Sequence, residues 1–132
     1  MARAAWWVLA AIAVAFCIWF GATATTADVS LECSKIAETA EPYECGDRLS
    51  TTLGVWPLLG LGLALAVPPV VAALAGRVWV SCVAVLALVA AGIVGLANWT
   101  GFWGTLLFAA PLAVLGAIVT AAQQARRRPP RP

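Results

Sequence analysis

The sequence predicts an all-α membrane protein: a four-transmembrane-helix up-down bundle with one disulfide-stapled extracytoplasmic loop. Three observations carry that prediction. The 132-residue chain is 63% hydrophobic and 11% charged, against roughly 45–50% and 25% in an average soluble domain. Uncharged runs cover residues 4–27, 49–76 and 78–125. All six carboxylates fall between Asp28 and Asp47, around the cysteine pair Cys33 and Cys45.

Crossing a ~30 Å hydrocarbon core at ~1.5 Å per residue takes ~20 apolar residues. The first two runs hold one span each, and the third holds two, divided by the turn-forming "NWTG" at 98–101. Helices are therefore expected over about 4–25, 53–75, 78–97 and 102–122, in one membrane domain covering 1–132. They are helices rather than strands because, in lipid, a lone segment must satisfy its own backbone polar groups.

The first span also imitates a signal peptide. Arg3, the apolar run and "ATA" at 22–24 stand for n-region, h-region and cleavage site. The run from Ala4 to Phe20 exceeds the usual 7–15 residue h-region, so a retained helix is the expectation and a cleaved leader the competing reading. In the second span, Pro68 and Pro69 remove hydrogen-bond donors, and Pro111 does so in the fourth. All three are read as kinks. The tail from 123 to 132, "QQARRRPPRP", is expected to be extended and cytoplasmic.

With the N-terminus inside, Arg3, Arg77, Arg126, Arg127, Arg128 and Arg131 face the cytoplasm, and only Lys35 and Arg48 lie outside. The positive-inside rule thus places both termini in the cytoplasm. Tryptophans fall where the headgroup belts would be, with Trp6, Trp7 and Trp79 near one face and Trp19, Trp56, Trp99 and Trp103 near the other.

The acidic window, 26–52, becomes the one substantial outer loop. Disulfides persist outside the cytoplasm. Cys33, Ile36, Ala37 and Ala40 follow the spacing of a short helix, and Pro42 ends it. An extended return would bring Cys45 to Cys33, closing a loop whose bond contributes ~3 kcal/mol. Charges recur at every third position from Glu32 to Asp47. On an α-helix such a row winds by ~60° per step, so it reads as a solvated face rather than a cation site. The loop could instead dock a basic partner.

The predicted spans contain no His, Asp, Glu, Lys or Arg, and intramembrane ionisable groups are the usual marks of ion and proton paths. The chain has no His at all, which excludes Ser-His and Cys-His catalysis. No phosphate cradle or zinc-ligand cluster appears. No catalytic residue, metal or cofactor is therefore expected, and the chain is read as not an enzyme. Asn98-Trp99-Thr100 fits the N-glycosylation pattern but hugs the membrane. The tail's arginines serve as topology anchors, and no nucleic-acid partner is expected.

What the spans can do is pack. Gly101, Thr105, Ala109, Ala113, Ala117 and Ala121 recur at i+4 on the fourth helix, a ridge of small side chains that lets helix backbones approach. Shorter ridges occur at Ala87, Ala91 and Gly95 and at Gly60 and Ala64. The fourth-helix ridge serves either internal packing or a face for other membrane proteins or a second copy.

Arginine outnumbers lysine seven to one, a bias of GC-rich genes. In layout, and locally in "YECGDRLS" leading into the second helix, the chain resembles the uncharacterised small four-span integral membrane proteins of GC-rich bacteria. The resemblance implies a multi-pass protein of the bacterial plasma membrane and no activity. Small multidrug exporters share the size, but they carry an acid in the first helix, and "AAWWVLAAIAVAFCIWFGA" has none. The expectation is a non-catalytic accessory, assembly or stabilising subunit of a membrane or envelope complex. The alternative is a small homo-oligomeric transporter or channel subunit.

Overall fold

An apolar run in lipid satisfies its backbone by coiling on itself. The computed structural model, which describes residues 1–24 and 54–130, has this form. Helix α1 covers Ala2–Thr23, α2 Val55–Ala75, α3 Val78–Ala97 and α4 Ala109–Arg127, with a 3₁₀ segment, Phe102–Phe108, leading into α4. Four helical stretches are long and apolar enough to cross a membrane: α1, α2, α3, and the 3₁₀ segment taken together with α4. Cys33, Cys45 and the acidic window lie outside the described residues, as does the staple expected there.

The helices form a closed ring. α1 packs chiefly along α2, and α3 along α4 and its 3₁₀ lead-in; α2–α3 and α4–α1 contacts complete the circuit. The short α2–α3 connection uses Gly76 in the left-handed conformation (φ 60°) as the α2 C-cap, with its N–H donating to the Ala72 carbonyl. At the far end of α3, the Asn98 side chain donates to the Val94 carbonyl at 2.9 Å. The Gly101 N–H then bonds the Asn98 carbonyl at 3.0 Å, closing the expected turn.

Three expectations are corrected. Arg-rich residues assigned to an extended tail are helical: α4 runs to Arg127 before Arg128 turns extended. Gln, Ala and Arg are good helix formers, arginines in the last turn complement the negative helix pole, and Pro129 first forces the preceding residue out of the α region. Secondly, Pro111 does not interrupt a long helix. It sits in the first turn of α4, at the junction with the 3₁₀ segment. The turns before it tighten into 3₁₀ form. Thirdly, Trp6 does not present its ring on the outer surface of the bundle. It is fully buried, whereas Trp7, Trp19, Trp56, Trp79, Trp99 and Trp103 are exposed. Adjacent helical residues point ~100° apart, so when Trp6 faces the bundle Trp7 faces outward. Pro68 and Pro69 lie inside α2, which continues through both as one helix.

Trp6, Leu61, Leu65, Leu88 and Leu112 fill the centre. Near the Asn98 end, the three-residue period of the 3₁₀ segment places Phe102 and Phe108 in one row. Phe108 stacks on Phe16 of α1 with ring centroids 3.9 Å apart, and Phe102 meets Phe20 at 6.4 Å. The outer surface is as apolar as the core: Ile18, Leu74, Leu86 and Leu96 are all more than 60% exposed. That distribution suits a lipid solvent, where association depends on close packing rather than on escape from water.

Candidate functional site

The predicted small-residue ridge is divided by the structure. Ala109 and Ala113 are buried in the bundle and Thr105 is half-buried, whereas Gly101, Ala117 and Ala121 are exposed. An i+4 row drifts by ~40° per step on an α-helix, so it leaves the packed face within a few turns. The stripe that α4 buries is Ala109, Leu112, Ala113, Gly116, Thr120 and Gln123, which alternates i+3 and i+4 steps and stays on one side.

Glycines set the closest approaches. A Cβ on Gly95 of α3 would lie 2.5 Å from the Leu107 backbone nitrogen and 2.8 Å from the Leu106 carbonyl carbon. α3 therefore crosses the 3₁₀ segment in direct backbone contact. On α4, Gly116 leaves room for the Trp6 ring, which would stand 2.9 Å from a Cβ there. These two sites explain why Trp6 and the 3₁₀ segment sit where they do.

On the outer side of the α3–α4 pair lies a groove of about 440 Å³. Val89, Gly92 and Ile93 of α3 form one wall, and Ala110, Ala113 and Ala117 of α4 form the other. It offers shape and dispersion contacts but no directed hydrogen bond.

Polar groups gather at the other end of the pair. The fully buried Ser81 hydroxyl lies 3.2 Å from the Gln123 side-chain oxygen and 3.3 Å from the Arg77 carbonyl, sharing its one proton between the two acceptors and tying α3 to α4. The Thr120 hydroxyl donates to its own helix, at the Gly116 carbonyl, and Thr105 does likewise to Phe102. Gln123 went unrecognised in the sequence because it was assigned to the tail. The available signal was its position three residues after Thr120, ahead of any helix breaker. The buried Trp6 indole N–H has no partner among the described residues.

The expected topology anchors collect at this same end. Arg3 begins α1, and its guanidinium lies over Gly76, where a Cβ would come within 2.6 Å of Nε. Arg77 is the N-cap of α3, and Arg126 and Arg127 occupy the last turn of α4 with Arg128 beyond it. All five are exposed. Between the first turns of α1 and the last turns of α4 is a cleft of about 160 Å³. Cys17 and Cys82 are free thiols, in the C-terminal half of α1 and the first turns of α3. Among the described residues no three His, Cys, Asp or Glu side chains come together as metal ligands.

No protein-family model matches the chain, and no curated protein or solved structure is significantly similar to it.

Proposed function

We propose that the chain is a non-catalytic subunit of a membrane or envelope complex, serving its assembly or stability, in the plasma membrane of a bacterium with both termini cytoplasmic. The carrying observation is the filled bundle axis. Trp6, Leu61, Leu65, Leu88 and Leu112 close the centre with apolar side chains, so one copy offers an ion neither water nor polar ligands along that line. The positive-inside count supports the orientation, and Arg3, Arg77 and Arg126–Arg128 share one end of the bundle. The Cys33–Cys45 disulfide across the outer loop belongs to the same proposal.

The α3–α4 groove is the part of the surface shaped to receive a neighbouring transmembrane helix, since the exposed Ala110 and Ala117 would let backbones approach closely. The test is native mass spectrometry of the protein released gently from its own membrane, alongside an Ala117→Leu variant. A defined heteromeric mass that Ala117→Leu dissolves, while helix content is unchanged, supports the subunit reading. A homo-oligomer with no other protein would refute it and favour a transporter or channel.

A further inference from the structure

The groove between α3 and α4 is the middle of a longer valley. On α4, Ala110, Val114, Ala117, Ala121, Gln124 and Arg128 recur in alternating steps of four and three, and all six are exposed. Such a row averages 3.5 residues per turn and stays on one side of the helix. On α3, Cys82, Val85, Val89 and Gly92 repeat the spacing, and the last three line the groove opposite Ala110, Val114 and Ala117. Beyond the groove, the Gln124 amide reaches the Cys82 sulfur at 4.0 Å, so the two rows still face each other there. A thiol is a weak acceptor, which leaves Gln124 free to serve a stronger partner. One turn further stands Arg128, the α4 C-cap, with Arg77, the α3 N-cap, at the same end.

From Ala110 to Gln124 the valley runs about 21 Å, at 1.5 Å per residue. Small side chains at 110, 117 and 121 let a neighbouring backbone come close and admit its branched side chains. The charge at the valley's end selects the neighbour. All six carboxylates of the chain fall between Asp28 and Asp47, in the stretch joining α1 to α2. That stretch leaves the C-terminal end of α1, whereas Arg3, at the start of α1, lies over Gly76 and next to the arginine end. The arginine end therefore has no acid of its own. A second copy in the same orientation would set arginines against arginines, and like charges disfavour such pairing. We propose that the α3–α4 valley seats one transmembrane helix of a different protein, apolar along the valley and carrying an Asp or Glu at the end level with Arg128. The inference rests on the subunit reading and adds the chemistry of the partner.

The test is photocrosslinking of the full chain in its own membrane. The photoreactive residue p-benzoylphenylalanine is placed at position 93, on the α3 rim of the valley, or at position 18 or 74, on α1 and α2. Ile93, Ile18 and Leu74 are all exposed. After irradiation the joined peptides are sequenced by mass spectrometry. Position 93 alone should join another protein's helix, with an apolar span and an Asp or Glu at the arginine end. Ala117→Leu, at an exposed position, should abolish that product with helix content unchanged by circular dichroism. Arg128→Gln should lower its yield about fivefold, the scale of one exposed ion pair. Arg126→Gln should leave it unchanged, because Arg126 lies on the α1 side of α4. A joined span without an acid at that end, a second copy of this chain, or products with lipid alone would each overturn the proposal. A heteromeric complex whose partner joins only from position 18 or 74 would overturn it and leave the subunit reading standing. Absence of any heteromeric mass would sink both.

Discussion

The approach of α3 to the 3₁₀ segment can be tested by a single methyl group. In Gly95→Ala the added Cβ would stand 2.5 Å from the Leu107 nitrogen and 2.8 Å from the Leu106 carbonyl carbon, about 1 Å inside ordinary carbon contact distance. Both clashing atoms are backbone, so no side chain can rotate away. The two elements must part along their contact. Overpacking of this kind costs ~1–3 kcal/mol, and a backbone obstacle puts Gly95 at the upper end. Ala is favoured over Gly within a helix by ~1 kcal/mol, so the net loss is ~2 kcal/mol, or ~30-fold in the folded-to-unfolded ratio. Gly92, one turn earlier on the same helix, supplies the control. A Cβ there meets the Ala110 nitrogen at 3.7 Å and its Cα at 3.9 Å, which is ordinary contact. Gly92→Ala should therefore be neutral or slightly stabilising. Equilibrium unfolding in mixed micelles, followed by circular dichroism, compares the two variants directly. Equal stabilities for Gly95→Ala and Gly92→Ala would show that α3 and the 3₁₀ segment do not pack at this distance.

Trp6→Ala should destabilise the bundle by about 3 kcal/mol, the low end for such truncations, because lipid is already as apolar as the core it leaves. Trp7→Ala should change little in the same unfolding assay, since Trp7 is half exposed. Trp6→Phe should be milder than Trp6→Ala, for the indole N–H it removes has no hydrogen-bond partner among the described residues. A double-mutant cycle of Ser81→Ala and Gln123→Leu should give a coupling of ~0.6 kcal/mol, the average for interhelical polar pairs in a membrane; zero coupling would mean the 3.2 Å bond is not formed. Of the four cysteines, Cys17 and Cys82 alone should be alkylated in the denatured, unreduced protein, and all four after reduction. Four reactive thiols before reduction would rule out the Cys33–Cys45 bond.

The number, length and approximate ends of the spans were legible in the sequence because bilayer thickness sets them. That constraint acts along the chain, where apolar runs and charges can be read directly. α3 begins and ends at the expected residues, Val78 and Ala97, and α2 ends at the expected Ala75. The gathering of Arg3, Arg77 and Arg126–Arg128 at one end follows from the same alternation of span directions. What a one-dimensional pattern does not carry is the rotation of each helix about its axis. In a soluble helix the polar face reveals it, but here lipid-facing and core-facing positions are equally apolar. Small residues at i+4 could therefore suggest one continuous packing face on the fourth span, although Ala109 and Ala113 turn inward while Ala117 and Ala121 turn outward. The inner face is decided instead by fit between partners distant in sequence. Gly116 admits Trp6, Gly95 admits the backbone at Leu106 and Leu107, and Phe16 receives Phe108. The Ser81–Gln123 contact has the same origin, because Gln123 reaches α3 only when α4 stays helical past Thr120. Sequence alone determined a four-span membrane architecture through hydropathy and length; which faces meet was decided by tertiary packing, where size rather than polarity distinguishes one apolar surface from another.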